Sequence, residues 1–226
     1  MEKYSIIIAI YNEVNKLNAL LIAIRPYMQE GHEIIIIDDG SNDGSTRILK
    51  ESEFIKLLVL KGNRGKGFAI KQGLKLASNN KIIIYDGDME INPRNISKLM
   101  VLNKQDQIRF VTGSRFISLT PFKSSFDWGN FMFTSFFNIA FNRLYKDVLC
   151  CAKAFYLSDI NKCKIISRGF DIDVELLAIL SLKSKAKKVF EVKLDYSRRS
   201  AKSGKKLKVS DGWVILARII KMIKYY

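Results

Sequence analysis

Ser5-Ile6-Ile7-Ile8-Ala9-Ile10-Tyr11-Asn12-Glu13 and, one helix-length later, Glu33-Ile34-Ile35-Ile36-Ile37-Asp38-Asp39-Gly40-Ser41 decide the fold. Each is a short, unbroken apolar run that ends in polar residues. Such runs read as strands buried on both faces, the mark of a parallel sheet covered by helices. Between them Leu17, Leu20, Leu21 and Ile24 recur at helical spacing, and Asn12 is placed to cap a helix from Glu13 to about Tyr27.

The same unit repeats outward from this pair. The turn Asp39–Gly44 leads into a helix through Leu49, and Ile55–Leu60 reads as a third strand. Gly65–Ala77 reads as a helix and Lys81–Tyr85 as a fourth strand. Pro93 falls near a helix start, where its missing N–H costs nothing, and Ile108–Thr112 reads as a fifth strand. Strand and helix alternate, so the fold class expected is α/β, a Rossmann-like, mostly parallel sheet flanked by helices. Ligands in such sheets bind beyond the carboxyl ends of the strands. Those ends carry Tyr11-Asn12-Glu13, Asp38-Asp39-Gly40-Ser41, Gly62–Gly67 and Asp86-Gly87-Asp88. A structural turn accounts for any one of these clusters; four together mark a site.

After Thr120 the pattern changes. Phe133, Phe136, Phe137, Ala140, Phe141 and Leu144 follow helical spacing, which predicts an amphipathic helix either packed on the sheet or lying on a membrane. Trp213–Tyr226 mixes apolar residues with Arg218, Lys221 and Lys224, as a basic amphipathic helix at a bilayer interface would. The longest uncharged run, Trp128–Asn142, is shorter than the ~20 apolar residues of a spanning helix, and no signal peptide is visible. Ser197–Lys208 is a basic segment, read either as a loop closing over a ligand or as a solvated loop.

The chain has 226 residues with 48% apolar content, enough for one sizeable core. Lys and Arg number 38 against 22 Asp and Glu, a net charge of +16. That excess fits nucleic acid, anionic lipid, phosphorylated substrates or a solvated lysine-rich surface. A single histidine, His32, excludes a multi-histidine zinc site and is expected at the surface. Cys150, Cys151 and Cys163 are odd in number and form no CxxC pair, which points to a reducing compartment.

Asp86-Gly87-Asp88 closes an Ile-rich strand. Residues i and i+2 of an extended chain point the same way, so both carboxylates can reach one cation. Hard oxygen ligands in low number suit Mg²⁺ or Mn²⁺ shared with a diphosphate, with Glu90 two residues further on as a third candidate. The Gly62–Gly67 segment is not a Walker loop, because Phe68 follows where Ser or Thr is required, yet Arg64 and Lys66 beside a helix start suit an anion.

Ile8-Ala9-Ile10-Tyr11-Asn12-Glu13, Ile37–Ser45, Asn63-Arg64-Gly65-Lys66-Gly67, Asp86-Gly87-Asp88 and Gly113-Ser114-Arg115, in this order and spacing, resemble the family 2 inverting glycosyltransferases of GT-A fold. Within that family the chain is most similar to the branch that moves mannose or glucose onto dolichyl or polyprenyl phosphate. Asn63–Gly67, Gly113-Ser114-Arg115 and Asp147-x-x-Cys150-x-x-Lys153 carry the branch resemblance.

The resemblance implies roles for individual residues. Ile10, Tyr11, Glu13, Asp39, Lys66, Asp86, Gly87 and Asp88 would bind the sugar nucleotide. Asp86, Asp88 and Glu90 would hold the metal, Mg²⁺ or Mn²⁺. Asp88, Asp147 and Asp173 are the catalytic candidates, Asp147 as base or acceptor-orienting acid. Arg115, Lys153, Arg198 and Arg199 would receive an acceptor phosphate. The Phe170–Leu177 segment resembles a Phe-Asp-x-Glu stretch of the glucosyl branch and also reads as a helix N-terminus. Cys151 and Ala152 depart from the Gly and aromatic that relatives usually carry.

One domain is therefore expected over 1–226: a nucleotide-sugar half (1–115), an acceptor half (116–196), and a basic loop with a C-terminal amphipathic helix (197–226). The activity implied is transfer of a hexose from a UDP-glucose or GDP-mannose type of donor to polyprenyl phosphate by metal-assisted displacement, at the cytoplasmic face of a membrane to which the chain binds peripherally. A same-fold transferase acting on a hydroxyl acceptor in polysaccharide or glycoconjugate synthesis is the alternative. A nucleic-acid partner is not expected, since it leaves Asp-x-Asp at a strand end without a reason.

Overall fold

The computed structural model describes residues 2–116, 125–160, 163–183, 190–198 and 209–224. Three central strands, β1 (Tyr4–Ile10), β2 (Glu33–Asp38) and β4 (Lys81–Asp86), are the isoleucine runs, and they run parallel. Their side chains alternate between two cores. Ile6, Ile8 and Ile10 face one side with Leu17, Leu20 and Ile24 of α1 (Val14–Gln29), while Ile7 faces the other with Ala69, Ile70 and Leu74 of α3 (Lys66–Leu76). Each buried Ile adds roughly 1.5–3 kcal/mol of apolar stabilisation, so the sheet holds helices on both faces.

The complete sheet also contains β3 (Lys56–Val59), β5 (Phe110–Ser114), β6 (Lys153–Tyr156) and β7 (Glu191–Lys193), in the order β3-β2-β1-β4-β6-β5-β7. Only β6 runs antiparallel to its neighbours, β4 and β5. The chain winds outward from β1 to β2 and β3 on one side and to β4 on the other. This makes the β1–β4 boundary a topological switch point, where such sheets open a crevice. Register sharpens this: Ile10 pairs with Asp38 and Ala9 with Asp86. The three strands therefore end level, and Tyr11–Glu13, Asp39 and Gly87-Asp88 emerge on one rim.

The second half supplies α5 (Ser125–Phe141), α7 (Ile172–Lys183) and α8 (Val209–Ile223), with short helices α2 (Ser45–Lys50), α4 (Ile96–Leu99) and α6 (Leu157–Ile160) elsewhere. α7 is buried along Ile172–Ser181. α8 lays Ile215, Ile219 and Met222 into the core, and Arg218 turns inward to bond Asp171 at 2.9 Å. Part of its basic character is thus used inside the fold. The outer faces remain apolar: Trp128, Met132 and Ile139 of α5, and Trp213, Val214, Ile220 and Ile223 of α8, are exposed. No helix among the described residues is long and apolar enough to cross a membrane.

Several local expectations differ from the structure. Asn12 does not cap α1; its φ is +50°, and the N–H groups of Glu13 and Val14 donate to Ser45 Oγ (3.0 Å) and Asp43 Oδ2 (2.9 Å) from the next turn. The fifth strand starts at Phe110, because Ile108 is used in a tight reverse pairing with Asn103. His32 is buried rather than superficial. Its Nδ1 accepts the Tyr4 N–H at 3.2 Å, and burial lowers its pKa, with the charge of Lys3 adding to this and Glu30 opposing it.

Candidate active site

A cleft of about 710 Å³ opens at the rim of β1, β2 and β4 and extends under α5, α7 and α8. Ile10, Tyr11 and Glu13 reach it from the end of β1, and the tight turn that follows holds them in place. There the Asn12 N–H donates to Ser41 Oγ and the Asn42 N–H to Asn12 Oδ1, both at 2.9 Å.

Asp39, at the end of β2, lines the cleft and is almost fully buried. It accepts the Arg64 and Gly65 N–H groups, each at 2.8 Å, so it clamps the start of α3. Burial raises its pKa, against the pull of these two bonds. Gly65 is required here: its φ is +93°, and a Cβ would lie 2.4 Å from the Arg168 carbonyl oxygen.

Lys66, the first residue of α3, sits at the centre of the cleft. Its Nζ lies 2.9 Å from Asp86 Oδ1 and 2.9 Å from Asp173 Oδ2. Burial alone would lower the pKa of this lysine; Asp173 and Asp86 instead hold it well above its usual value. Burial likewise opposes ionisation of Asp86, but the Lys66 charge and hydrogen bond, then the Cys151 thiol and Arg115, keep it below the ordinary carboxylate range. The cleft is therefore built to hold charge. Gly87 lets the Asp-x-Asp turn press on β1, where a Cβ would come within 2.0 Å of Ile10 Cδ1.

Asp86, Asp88 and Glu90 all line the cleft, yet among the described residues no group of three acidic, histidine or cysteine side chains converges as a ready metal cage. A third ligand in Glu90 is not preformed beside Asp86 and Asp88 among the described residues. Met89 adopts a left-handed φ of +63°, and Asp88 Oδ1 accepts the Glu90 N–H at 2.9 Å. The chain thus bends between the second and third acids. What remains fits a hard divalent cation in its shared form, since Mg²⁺ and Mn²⁺ are commonly held by one or two carboxylates plus substrate phosphates and water.

Arg115 lines the far part of the cleft with its guanidinium 5.5 Å from the ring centres of both Phe116 and Tyr196. Its Nε and one terminal nitrogen donate to Asp147 at 2.7 and 2.8 Å, a bidentate pair. Burial would lower its pKa; Asp147 holds it well above the ordinary value. Asp147 is itself fully buried and does not line the cleft. The expected base is thus a partner of Arg115. Its loop is fixed by Glu191, which accepts the Lys146 N–H at 3.0 Å and the Asp147 N–H at 3.2 Å. Burial, with the nearby Asp147 charge, pushes Glu191 up to about 7 against those bonds.

Lys153 also departs from its expected place. It is fully buried inside β6, its ammonium donates to the Cys150 carbonyl, and it does not line the cleft. Fully buried and absent from the cleft wall, it is not placed to meet an acceptor phosphate. Arg198 does line the cleft, while Arg199 and most of the basic 197–208 segment lie outside the described residues.

Asn63, Phe116, Asn130, Leu149, Cys151, Phe170, Tyr196, Asp211 and Ile215 also line the cleft. Of these, Asn63, Cys151 and Phe170 carried a sequence signal; Asn130, on a Phe-rich helix, carried none.

A comparison of the chain with known families matches glycosyl transferase family 2 over residues 5–159. The chain belongs to this family. Relatives include proteins named undecaprenyl-phosphate 4-deoxy-4-formamido-L-arabinose transferase from Yersinia pestis (strain Pestoides F) and Yersinia pseudotuberculosis serotype O:3. Each is 33% identical over 140 residues, covering 53% of this chain and 43% of the relative. The chain thus spans less than half the length of these curated relatives. Among solved structures, glucosyl-3-phosphoglycerate synthase from Mycobacterium tuberculosis, in complex with Mn²⁺, UDP and glucosyl-3-phosphoglycerate, superposes with a TM-score of 0.77. That match is 14% identical and covers 99% of this chain and 80% of the other, which establishes the shared GT-A architecture of this family 2 chain.

Proposed function

We propose that this family 2 chain transfers a hexose from a nucleoside-diphosphate sugar to polyprenyl phosphate, with inversion at the anomeric carbon. The observation that carries the reading is the cleft itself: Asp39, Asp86 and Asp88 on the rim of the sheet, with Lys66, Arg115 and Arg198 in the same cavity. Glycosyl transfer is limited by departure of the diphosphate, on which negative charge builds. Asp86 and Asp88 are the residues that would hold Mg²⁺ or Mn²⁺ with that diphosphate, and such an ion, when bound, offsets the developing charge. Fixed cations that need no reorganisation act in the same direction.

The state of Asp147 favours a phosphate acceptor. Both its oxygens are engaged by Arg115 and it does not line the cleft, so it is not placed to meet an acceptor hydroxyl. A phosphate monoester has a second pKa of about 6 and attacks already ionised, without a base. A cation such as Arg115, held rigidly by Asp147, is then what orients the nucleophile. The relatives named for undecaprenyl phosphate support the same acceptor class.

Peripheral binding to the cytoplasmic face of a membrane is part of this proposal. Exposed Trp128, Met132 and Ile139 on α5 and Trp213, Val214 and Ile220 on α8 support it, with Lys221 on the same terminal helix and Lys224 just beyond its end. Apolar residues of this kind insert into an interface, and nearby cations are attracted to anionic lipid.

Transfer of labelled glucose from UDP-glucose, or mannose from GDP-mannose, to a short polyprenyl phosphate in Mn²⁺ tests the reading. Label in the organic phase is expected. Label passing only to a saccharide acceptor, or none with either donor, overturns the phosphate acceptor.

A further inference from the structure

Asn130, on α5, is 6% exposed and lines the cleft, and among the described residues its Oδ1 has no hydrogen-bond partner. Asp173, on α7, is 5% exposed and lines the same cleft; Lys66 takes its Oδ2, and its Oδ1 is likewise unpartnered. A buried acceptor without a donor costs free energy, and a ligand that supplies the donor recovers that cost where the atom lines a binding cleft. Both orphan atoms accept and neither donates. Their complement is a group rich in hydroxyls; ionised phosphate has no proton to give, and an isoprenoid chain has no polar atom.

We infer that Asn130 and Asp173 form a hydroxyl-binding subsite for the sugar ring of the donor, with Asn130 a specificity-determining residue. The inference rests on the proposed reading of the cleft as a nucleotide-sugar site. In a ternary complex with polyprenyl phosphate, the nucleotide's ribose and the sugar ring are the sources of hydroxyls. Tyr11 and Asp39, which the ribose and base would contact, come from the ends of β1 and β2. Asn130 and Asp173 come from α5 and α7, so the sugar ring is the hydroxyl-bearing part left for them. With a saccharide acceptor, the same two atoms would instead be open to acceptor hydroxyls.

The test compares nucleotide with sugar nucleotide. Calorimetry in Mn²⁺ measures UDP against UDP-glucose, and GDP against GDP-mannose, for the wild type, Asn130→Leu and Asn130→Ala. Leu fills the volume of the amide without its polarity; Ala guards against a packing effect of the larger residue. The subsite requires the sugar nucleotide to bind about fivefold to tenfold more weakly in both variants, while the nucleoside diphosphate binds as in the wild type. Parallel loss for nucleotide and sugar nucleotide, or no change in their ratio, overturns the subsite and leaves the donor class standing. A rise confined to the KM of a saccharide acceptor assigns Asn130 to the acceptor and also overturns it. A wild type that binds none of the four ligands removes the donor class, and the subsite with it.

Discussion

Lys66 Nζ and Asp173 Oδ2 are 2.9 Å apart, although 107 residues separate them in the chain. Lys66 opens α3, and Asp173 lies in the first turn of α7. The ion pair therefore ties the two halves of the chain at the base of the cavity, and Asp86 shares the same ammonium.

Lys66→Met leaves two carboxylates of the cleft without their cation. Removing one partner of a buried pair costs roughly 3–5 kcal/mol, and about 3 kcal/mol is expected here because Asp86 keeps access to the cleft and can be hydrated. Urea unfolding measures it. The double variant Lys66→Met/Asp173→Leu should recover part of the loss; a single variant as stable as the wild type would show that the pair carries no structural weight.

Asp147→Asn takes the countercharge from Arg115 and leaves the guanidinium mobile. The expected result is lower stability and a KM for the phosphate acceptor raised about tenfold, in line with loss of a bidentate charged contact of about 1.4 kcal/mol. The shape of the pH–rate profile should be unchanged. Loss of its acid limb would show that Asp147 is the catalytic base.

Glu191 is held near 7, against an ordinary value of 4.5, chiefly by burial. The folded protein keeps this proton where the unfolded chain has lost it. Its contribution to stability is therefore complete below pH 4.5 and is lost as the pH rises through 7. Glu191→Gln stays neutral, so its urea midpoint should lack the decline that the wild type shows across that window. Identical profiles for the two proteins would contradict a raised pKa.

Trp213→Ser/Ile220→Ser changes side chains on the outer face of α8. Stability is expected to stay within about 0.5 kcal/mol of the wild type, as for surface sites. Flotation with vesicles containing phosphatidylglycerol should fall sharply. Unchanged flotation would remove α8 from the membrane contact.

Much of this architecture was legible from the chain alone, for identifiable reasons. The isoleucine runs are long enough, and polar enough at their ends, to mark β1, β2 and β4 and the rim they share. Asp86-Gly87-Asp88 and Asp39 stand at strand ends, so topology alone collects them. What stayed hidden depends on partners distant in sequence. Arg218 reads as a surface cation until α8 docks and brings it to Asp171, 47 residues earlier. Lys153 reads as a phosphate ligand until pairing of β6 with β4 and β5 buries it. His32 reads as superficial because its burial comes from contact with Tyr4, on a strand 28 residues away. Asn130 sits among phenylalanines, and only the helix position reveals the polar atom turned into the cavity wall.

The proposed transfer stands on Asp86 and Asp88 engaging the diphosphate of an activated sugar through a divalent cation. The most direct measurement is calorimetric binding of UDP-glucose and GDP-mannose to the wild type and to Asp88→Asn, each in Mn²⁺ and in EDTA. One of the two donors is expected to bind the wild type in Mn²⁺, with affinity falling about tenfold or more, at least about 1.4 kcal/mol, on chelation or on the substitution. Equal affinity in all four conditions would contradict it.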